Sequence, residues 1–314
     1  MDVGERTDMG NIPRPPVVIF GFNRPEHLRI CLESLVANKN SKGHKYFLFL
    51  DGPRTNKEEN VAQQVKRVAN LFEQKIDLEV IESKVNKGLS NSLIPGITQI
   101  LHKFDSIIVV EDDLELHPDF LDFMSANLYK YKNSEMIASI QGFTYPFLQN
   151  SLECYFLKGA DCWGWGTWRR SWKLLEIESS RMVKQLRSKK LIRQFDMDGA
   201  FPYSGMLERQ ARGEVDSWAI RWHASMYLLG KLSLYPPKSL VRNNGFDGSG
   251  THVSTRDVED FRAFTDFSYR LPAEICESKS ARRGLIRYLR KKYGTYSVFH
   301  PIGFITRIKR KLLS

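Results

Sequence analysis

Cysteine is scarce: Cys31, Cys154, Cys162 and Cys276 are scattered through 314 residues without a C-x-x-C pair. That spacing excludes a disulfide framework and a cysteine-built zinc site, and it fits a reducing compartment. Long apolar runs are missing too. The first sixteen residues carry Asp2, Glu5 and Asp8 without an apolar stretch, and apolar runs elsewhere have strand length. Neither a signal peptide nor a spanning helix is therefore expected, which points to a cytoplasmic protein with at most peripheral membrane contact. No internal repeat or low-complexity segment occurs. Between residues 281 and 314 there is no Asp or Glu at all.

That last absence explains the net charge of +11. Arg282, Arg283, Arg287, Arg290, Lys291, Lys292, Arg307, Lys309, Arg310 and Lys311 supply nearly all of it, so the rest of the chain is close to neutral. An acidic partner would therefore be sought by the tail, not by the body. Apolar residues lie among the cations over Leu285 to Tyr293 and Phe304 to Leu313, the composition of a helix on an anionic lipid surface. Against a solvated tail, that reading places residues 281–314 at the inner face of a membrane. With 42% hydrophobic and 26% charged residues, the body has ample material for a core.

From Pro16 onward, buried-strand runs alternate with amphipathic segments. Val17 to Phe22 precedes Glu26 to Val36, Tyr46 to Leu50 precedes Lys57 to Phe72, Leu78 to Ile81 precedes Leu89 to His102, and Ser106 to Val110 precedes Pro118 to Tyr131. This βαβα rhythm predicts an α/β domain with a mostly parallel sheet flanked by helices. Asn23 reads as an N-cap with Pro25 just inside the first helix, Gly88 or Ser90 as the start of the third, and Pro95-Gly96 as a kink in it. The expected organisation is a flexible start over 1–15, a domain over 16–278 split at residue 140, and a basic tail over 279–314. Ligands in such sheets sit at the carboxyl ends of the strands, here Asn23-Arg24, Asp51-Gly52, Asn86-Lys87-Gly88 and Glu111-Asp112-Asp113.

Three adjacent acids after Ile107-Ile108-Val109-Val110 repel one another unless a cation intervenes. Mn²⁺ or Mg²⁺ takes few protein oxygens and completes its shell with water and a diphosphate, so the triplet suits a nucleotide-diphosphate site. A solvated acidic turn capping the helix at Pro118 would also account for it. The longer run Glu111-Asp112-Asp113-Leu114-Glu115, then Pro118-Asp119-Phe120, resembles the DXD region of N-acetylglucosaminyltransferase I and related GT-A glycosyltransferases. Bacterial family-2-like sugar transferases are similar in motif order over about residues 16 to 255, including the Asn23-Arg24-Pro25 turn. The resemblance implies a GT-A (Rossmann-like) fold and makes Asp113 the metal ligand. Glu111, Asp112, Asn23, Arg24, Asp51, Asn86 and Gly88 would then lie around the nucleotide sugar. Turn chemistry accounts equally well for Asp51-Gly52-Pro53 and for Asn86 to Gly88.

All six tryptophans lie between residues 163 and 222, marking an aromatic-rich acceptor half. In Trp163-Gly164-Trp165-Gly166 the glycines let backbone approach a ligand while indoles offer flat walls, so this segment is expected beside donor and acceptor, as in many GT-A enzymes. Trp172 and Trp222 are expected in the core. Displacement at an anomeric carbon also needs a base for the acceptor proton. Gly213-Glu214-Val215-Asp216-Ser217-Trp218 resembles the acid-before-tryptophan motif of inverting relatives, making Asp216 the candidate and Glu214 its alternate. The glycine-rich loop ending at His252 resembles a late loop whose histidine reaches the metal.

These expectations describe a metal-dependent, inverting transferase acting on a glycan or lipid-linked glycan hydroxyl in polysaccharide biosynthesis. A sugar nucleotidyltransferase would carry a glycine-rich loop ending in Thr-Arg where Phe20 to Pro25 stand. The rival from another class is a nucleic-acid-binding protein using the tail's interleaved Tyr288, Tyr293, Tyr296 and Phe299. A near-neutral body without a basic groove disfavours nucleic acid, and a catalytically inactive sugar-binding module is the third reading.

Overall fold

The computed structural model of the chain describes residues 12–147, 151–245 and 267–295. Strand-helix repeats build the first half: β1 (Val17–Gly21) and α1 (Pro25–Val36), β2 (Lys45–Leu50) and α2 (Glu59–Asn70), β3 (Asp77–Glu82) and α3 (Leu89–Lys103). Next come β4 (Ser106–Glu111), the short β5 (Leu114–Leu116) and α4 (Phe120–Lys130). The second half holds β6 (Ile137–Gln141), β7 (Tyr155–Lys158), β8 (Trp165–Trp168), α5 (Arg169–Trp172), α6 (Ser179–Ser188), α7 (Ile192–Phe195), α8 (Tyr203–Ala211) and α9 (Trp218–Leu228). It ends with β9 (Leu232–Tyr235), β10 (Val241–Asn243) and α10 (Lys279–Tyr293).

Eight strands form one sheet in the order β3-β2-β1-β4-β8-β6-β9-β7. Four of its seven pairings are parallel, all three in the β3-β2-β1-β4 half and β6 with β9. The expected α/β class with a mostly parallel, helix-flanked sheet is therefore observed. The physical cause is legible in β1, where Val17, Val18 and Ile19 are fully buried. Val17 and Ile19 join the core on one face while Val18 and Phe20 join the core on the other. Burying each such side chain contributes about 1.5–3 kcal/mol, so a continuous apolar run is placed between two helical layers and an alternating one is not.

The structure adds to the sequence reading at three points. The N-cap of α1 is Arg24, not Asn23, and no side chain caps it, because a guanidinium has no acceptor to offer the helix amides. Helix α3 starts after Gly88 as expected and continues as one helix through Pro95. The basic tail opens as a docked helix: Ala281, Leu285, Ile286 and Leu289 of α10 are buried against Tyr155, Tyr235 and Met197. Arg282 grips Asp198 through two bonds of 2.8 and 3.1 Å. The apolar stripe expected to face lipid over Leu285 to Tyr293 is thus largely covered by the domain itself, leaving Arg283, Arg287 and Lys291 outward. No helix among the described residues is long and apolar enough to cross a membrane.

Topology gathers the site. Because β1 and β4 are parallel neighbours, with Phe20 opposite Glu111, the residues following each emerge side by side. Strand β8 runs antiparallel to β4, with Trp165 opposite Val109, so the segment leading into β8 arrives at that same edge. Strand β10 pairs antiparallel with β5, Asn243 opposite Leu114, which carries Asn243 to Gly245 onto Asp113.

Candidate active site

The three acids at the end of β4 lie in distinct environments. Asp112 is buried at 4% exposure; its carboxylate accepts the Phe22 amide at 3.1 Å and Arg24 Nη2 at 3.0 Å. Asp113 accepts Arg24 Nη1 on Oδ2 at 3.1 Å, whereas its Oδ1 is buried without a partner among the described residues. Glu111 is partly buried. Burial pushes the Glu111 carboxyl up to about 8, with Asp113 and Asp112 adding to the rise and Arg24 opposing it. Burial likewise raises Asp112 to about 6, against the pull of Arg24. Arg24 loses some charge stability to burial, but Asp112, Asp113 and Glu111 outweigh that loss and raise its pKa. One guanidinium thus offsets part of three negative charges, and the residual repulsion remains in the site.

Gly245 closes the other side of this cluster. A Cβ there would lie 2.5 Å from Asp113 Oδ2 and 3.1 Å from Arg24 Nη1, so any side chain would displace the acids. Its amide donates to Asn243 Oδ1 at 2.7 Å, and the Asn244 amide donates to the Asp113 carbonyl at 2.8 Å. His252 and the rest of the loop from Phe246 lie outside the described residues.

Asp51 accepts backbone amides from Lys87 at 2.8 Å, from Gly88 at 2.9 Å and from its own neighbour Gly52 at 3.1 Å. Asn86 Nδ2 donates to the Gly52 carbonyl at 3.0 Å. These bonds tie the end of β2 to the entry of α3, the turn-forming role weighed for both residues, and Gly88 takes a left-handed φ of 78° there. Asn23 is partly buried between β1 and Arg24.

The tryptophan segment divides. Trp163 is partly exposed, packs edge-on to Phe143 at 4.7 Å and lines a cavity of about 280 Å³. Trp165, expected beside the ligand, is fully buried, with ring centroids 5.5 Å from Trp218, 5.6 Å from Trp222 and 6.0 Å from Trp172. Gly166 and Gly164 answer to packing as well. A Cβ on Gly166 would stand 3.0 Å from the Ile107 carbonyl and from Leu128, and one on Gly164, at φ 58°, would meet Val241 at 2.6 Å. Glycine lets β8 lie close to β4 and α4, so Trp165, Gly166 and Gly164 build the core behind the site, and Trp163 alone of the four presents a side chain to the cavity.

The expected base is also displaced. The Asp216 side chain is 53% exposed and paired with Arg221 at 3.1 Å, outside the cavity lining, while the adjacent Ser217 lines the cavity and caps α9. Glu214 is exposed and paired with Arg212 and Arg209. The carboxylate that does line the cavity is Asp161, among Tyr145, Tyr203, Tyr235 and His223. Sequence reasoning missed this group because its members come from separate loops, strands and helices and carry no shared motif.

Comparison with known proteins places these features in context. Residues 3–146 match the model of the GNT-I family, as the run from Glu111 to Phe120 had suggested. An Arabidopsis thaliana alpha-1,3-mannosyl-glycoprotein 2-beta-N-acetylglucosaminyltransferase is 24% identical over 137 residues, covering 40% of this chain and 30% of the relative. The chain thus spans about a third of the length of that curated relative. Among solved structures, residues 1–349 of S. aureus TarS align with 51% of this chain and 48% of their own at 12% identity and a TM-score of 0.36. Glucosyl-3-phosphoglycerate synthase from Mycobacterium tuberculosis, solved with Mn²⁺, uridine diphosphate and glucosyl-3-phosphoglycerate, aligns over 52% of this chain and 58% of its own, at 13% identity and a TM-score of 0.31.

Proposed function

We propose that the chain is a glycosyltransferase that moves a sugar from a nucleotide-diphosphate donor to a hydroxyl of a glycan or lipid-linked glycan, inverting the anomeric centre. The observation that carries this reading is the acidic end of β4, inside the segment that matches the GNT-I family, where Glu111, Asp112 and Asp113 crowd around one arginine; Cys162 and Asn243 link it to an aromatic cavity that the acids themselves do not line. Aromatic walls suit the C–H face of a sugar, and an unbalanced carboxylate cluster suits a cation that arrives with a diphosphate.

The donor set fits Mn²⁺ or Mg²⁺. Asp113 Oδ1 is a buried carboxylate oxygen without a partner among the described residues, which is costly unless something binds it. No group of three His, Cys, Asp or Glu side chains that could hold a metal ion occurs among the described residues, and a cation of this type needs only one or two protein oxygens when phosphate and water complete its shell. Asp113 would hold the ion, with Glu111 beside it and His252 as a further ligand. When bound, the cation supplies charge neutralisation for the departing diphosphate. Arg24 keeps Asp112 and Asp113 aligned, and Asp51 and Asn86 fix the loop at α3 that would face the nucleotide. The outward cations of α10 favour a site of action next to an anionic surface, consistent with a lipid-linked acceptor at the cytoplasmic face of a membrane.

The test is thermal stabilisation by, and hydrolysis of, a panel of nucleotide sugars with and without Mn²⁺. Asp113→Ala should abolish Mn²⁺-dependent turnover; full turnover in that variant removes the assignment.

A further inference from the structure

Among the described residues lining the aromatic cavity, one carries a carboxylate. Asp161 lines it in the loop between β7 and β8, and no Lys or Arg pairs with it among the described residues. Its Oδ1 accepts the Cys162 amide at 2.9 Å, and Tyr145 lines the cavity with it. Burial raises the affinity of this carboxylate for a proton, and the Cys162 amide and the Tyr145 hydroxyl pull it partly back. The acids of β4 are close by. Burial first, then Asp161, Glu111 and Asp113, raise the Cys162 thiol pKa, so Cys162 stands within electrostatic reach of both groups.

Opposite lies His223, 8% exposed. Burial lowers its pKa to about 4, so the ring is neutral at physiological pH. With Nδ1 donating to the Ala160 carbonyl at 2.8 Å, Nε2 carries a lone pair, and Nε2 is buried without a partner among the described residues. Tyr203 stacks on the imidazole at 4.7 Å. A carboxylate and aromatic walls in one cavity, whose lining also includes Lys158, Arg242 and Lys292, match a polyhydroxylated ring: the rings cover its C–H faces, the carboxylate takes a hydroxyl proton, and the neutral His223 packs behind as part of the wall. Asp216 and Glu214 offer no such setting, being exposed and held by arginines.

We infer that Asp161, rather than Asp216, receives the proton of the attacking hydroxyl, with His223 and Tyr145 positioning acceptor and base inside the cavity between Trp163 and α10. This rests on the glycosyltransferase reading above. In the step, the acceptor oxygen forms a bond to the anomeric carbon as the bond from that carbon to the diphosphate oxygen breaks. The bonding electron pair leaves with the diphosphate, and the hydroxyl proton passes to an Asp161 oxygen. Water entering the same cavity undergoes the same step, which makes donor hydrolysis a usable readout before the acceptor is identified.

The experiment compares full-length wild type, Asp161→Asn, Asp216→Asn, Tyr145→Phe and Asp113→Ala, using UDP-N-acetylglucosamine and three other nucleotide sugars with Mn²⁺. Released nucleotide gives the rate, and thermal stabilisation by UDP with Mn²⁺ reports folding and donor binding. Asp161→Asn should keep the thermal stabilisation while kcat falls about 10²–10⁴-fold with KM for donor unchanged. Asp216→Asn should remain within a few-fold of wild type. Tyr145→Phe removes a hydroxyl that favours the charged form of Asp161, so the acid limb of its pH–rate profile should move to higher pH. Wild-type kcat in Asp161→Asn, with activity lost in Asp113→Ala or Asp216→Asn, overturns the role of Asp161 and leaves the glycosyltransferase reading standing. Unchanged hydrolysis in every variant, Asp113→Ala included, overturns both.

Discussion

Replacing Glu111 by Gln should make the metal-free protein more stable at pH 8 while changing it little at pH 5. The Glu111 carboxyl sits at about 8 in the fold because of burial and its two acidic neighbours, against an ordinary value near 4.5. For an acid whose folded pKa is raised, the folded state binds more protons than the unfolded state between those two values. Stability therefore falls as pH climbs from about 4.5 to about 8 and levels off above. A shift of that size corresponds to roughly 3–5 kcal/mol at 1.36 kcal/mol per unit, and sharing of the strain with Asp112 and Asp113 reduces what one substitution recovers to about 2–3 kcal/mol. Urea denaturation in EDTA, at half-unit steps from pH 5 to 8.5, should show wild-type stability declining and Glu111→Gln nearly flat. Mn²⁺ added at pH 8 should restore wild type far more than the variant. Parallel pH profiles for the two proteins would refute the reasoning, because the crowded charge would then not be a cost the fold bears.

Two further substitutions separate architecture from ligand contact. Trp165→Ala should cost about 3–5 kcal/mol in urea denaturation, since it empties the centre of a four-indole cluster, whereas Trp163→Ala should change stability little and raise the KM for acceptor. Equal stabilities would contradict the division of that segment. Asp51→Ala removes the acceptor of three backbone amides and should lose about 1–3 kcal/mol, with faster amide exchange at Lys87 and Gly88; unchanged exchange would mean that the staple is incidental.

Some of this was written in the chain itself. The strands of the first half come from uninterrupted apolar runs that only a double-covered sheet can bury, so β1, β2 and β4 are legible from composition alone. The triplet of acids at the end of β4 is legible for the same reason, because a polar residue directly after a buried strand must emerge at the sheet edge. The resemblance to the GNT-I family lies in the same continuous stretch. What the sequence could not decide was which separate segments share that edge. Trp163 and Trp165 look alike in sequence and would share one face of a regular strand, yet Trp163 precedes β8 and Gly164 at φ 58° breaks the alternation between them, so one ring meets the cavity and the other the core. Asp161 and Asp216 are both acids in the aromatic half, and only packing sets one in the cavity among tyrosines and His223 while leaving the other outside on Arg221. The cationic tail reads as a free amphipathic helix until Leu285, Ile286 and Leu289 find Tyr155 and Tyr235. Local pattern fixes how a segment folds because its forces act between near neighbours, whereas the assignment of a side chain to cavity, core or solvent depends on contacts between residues far apart in the chain.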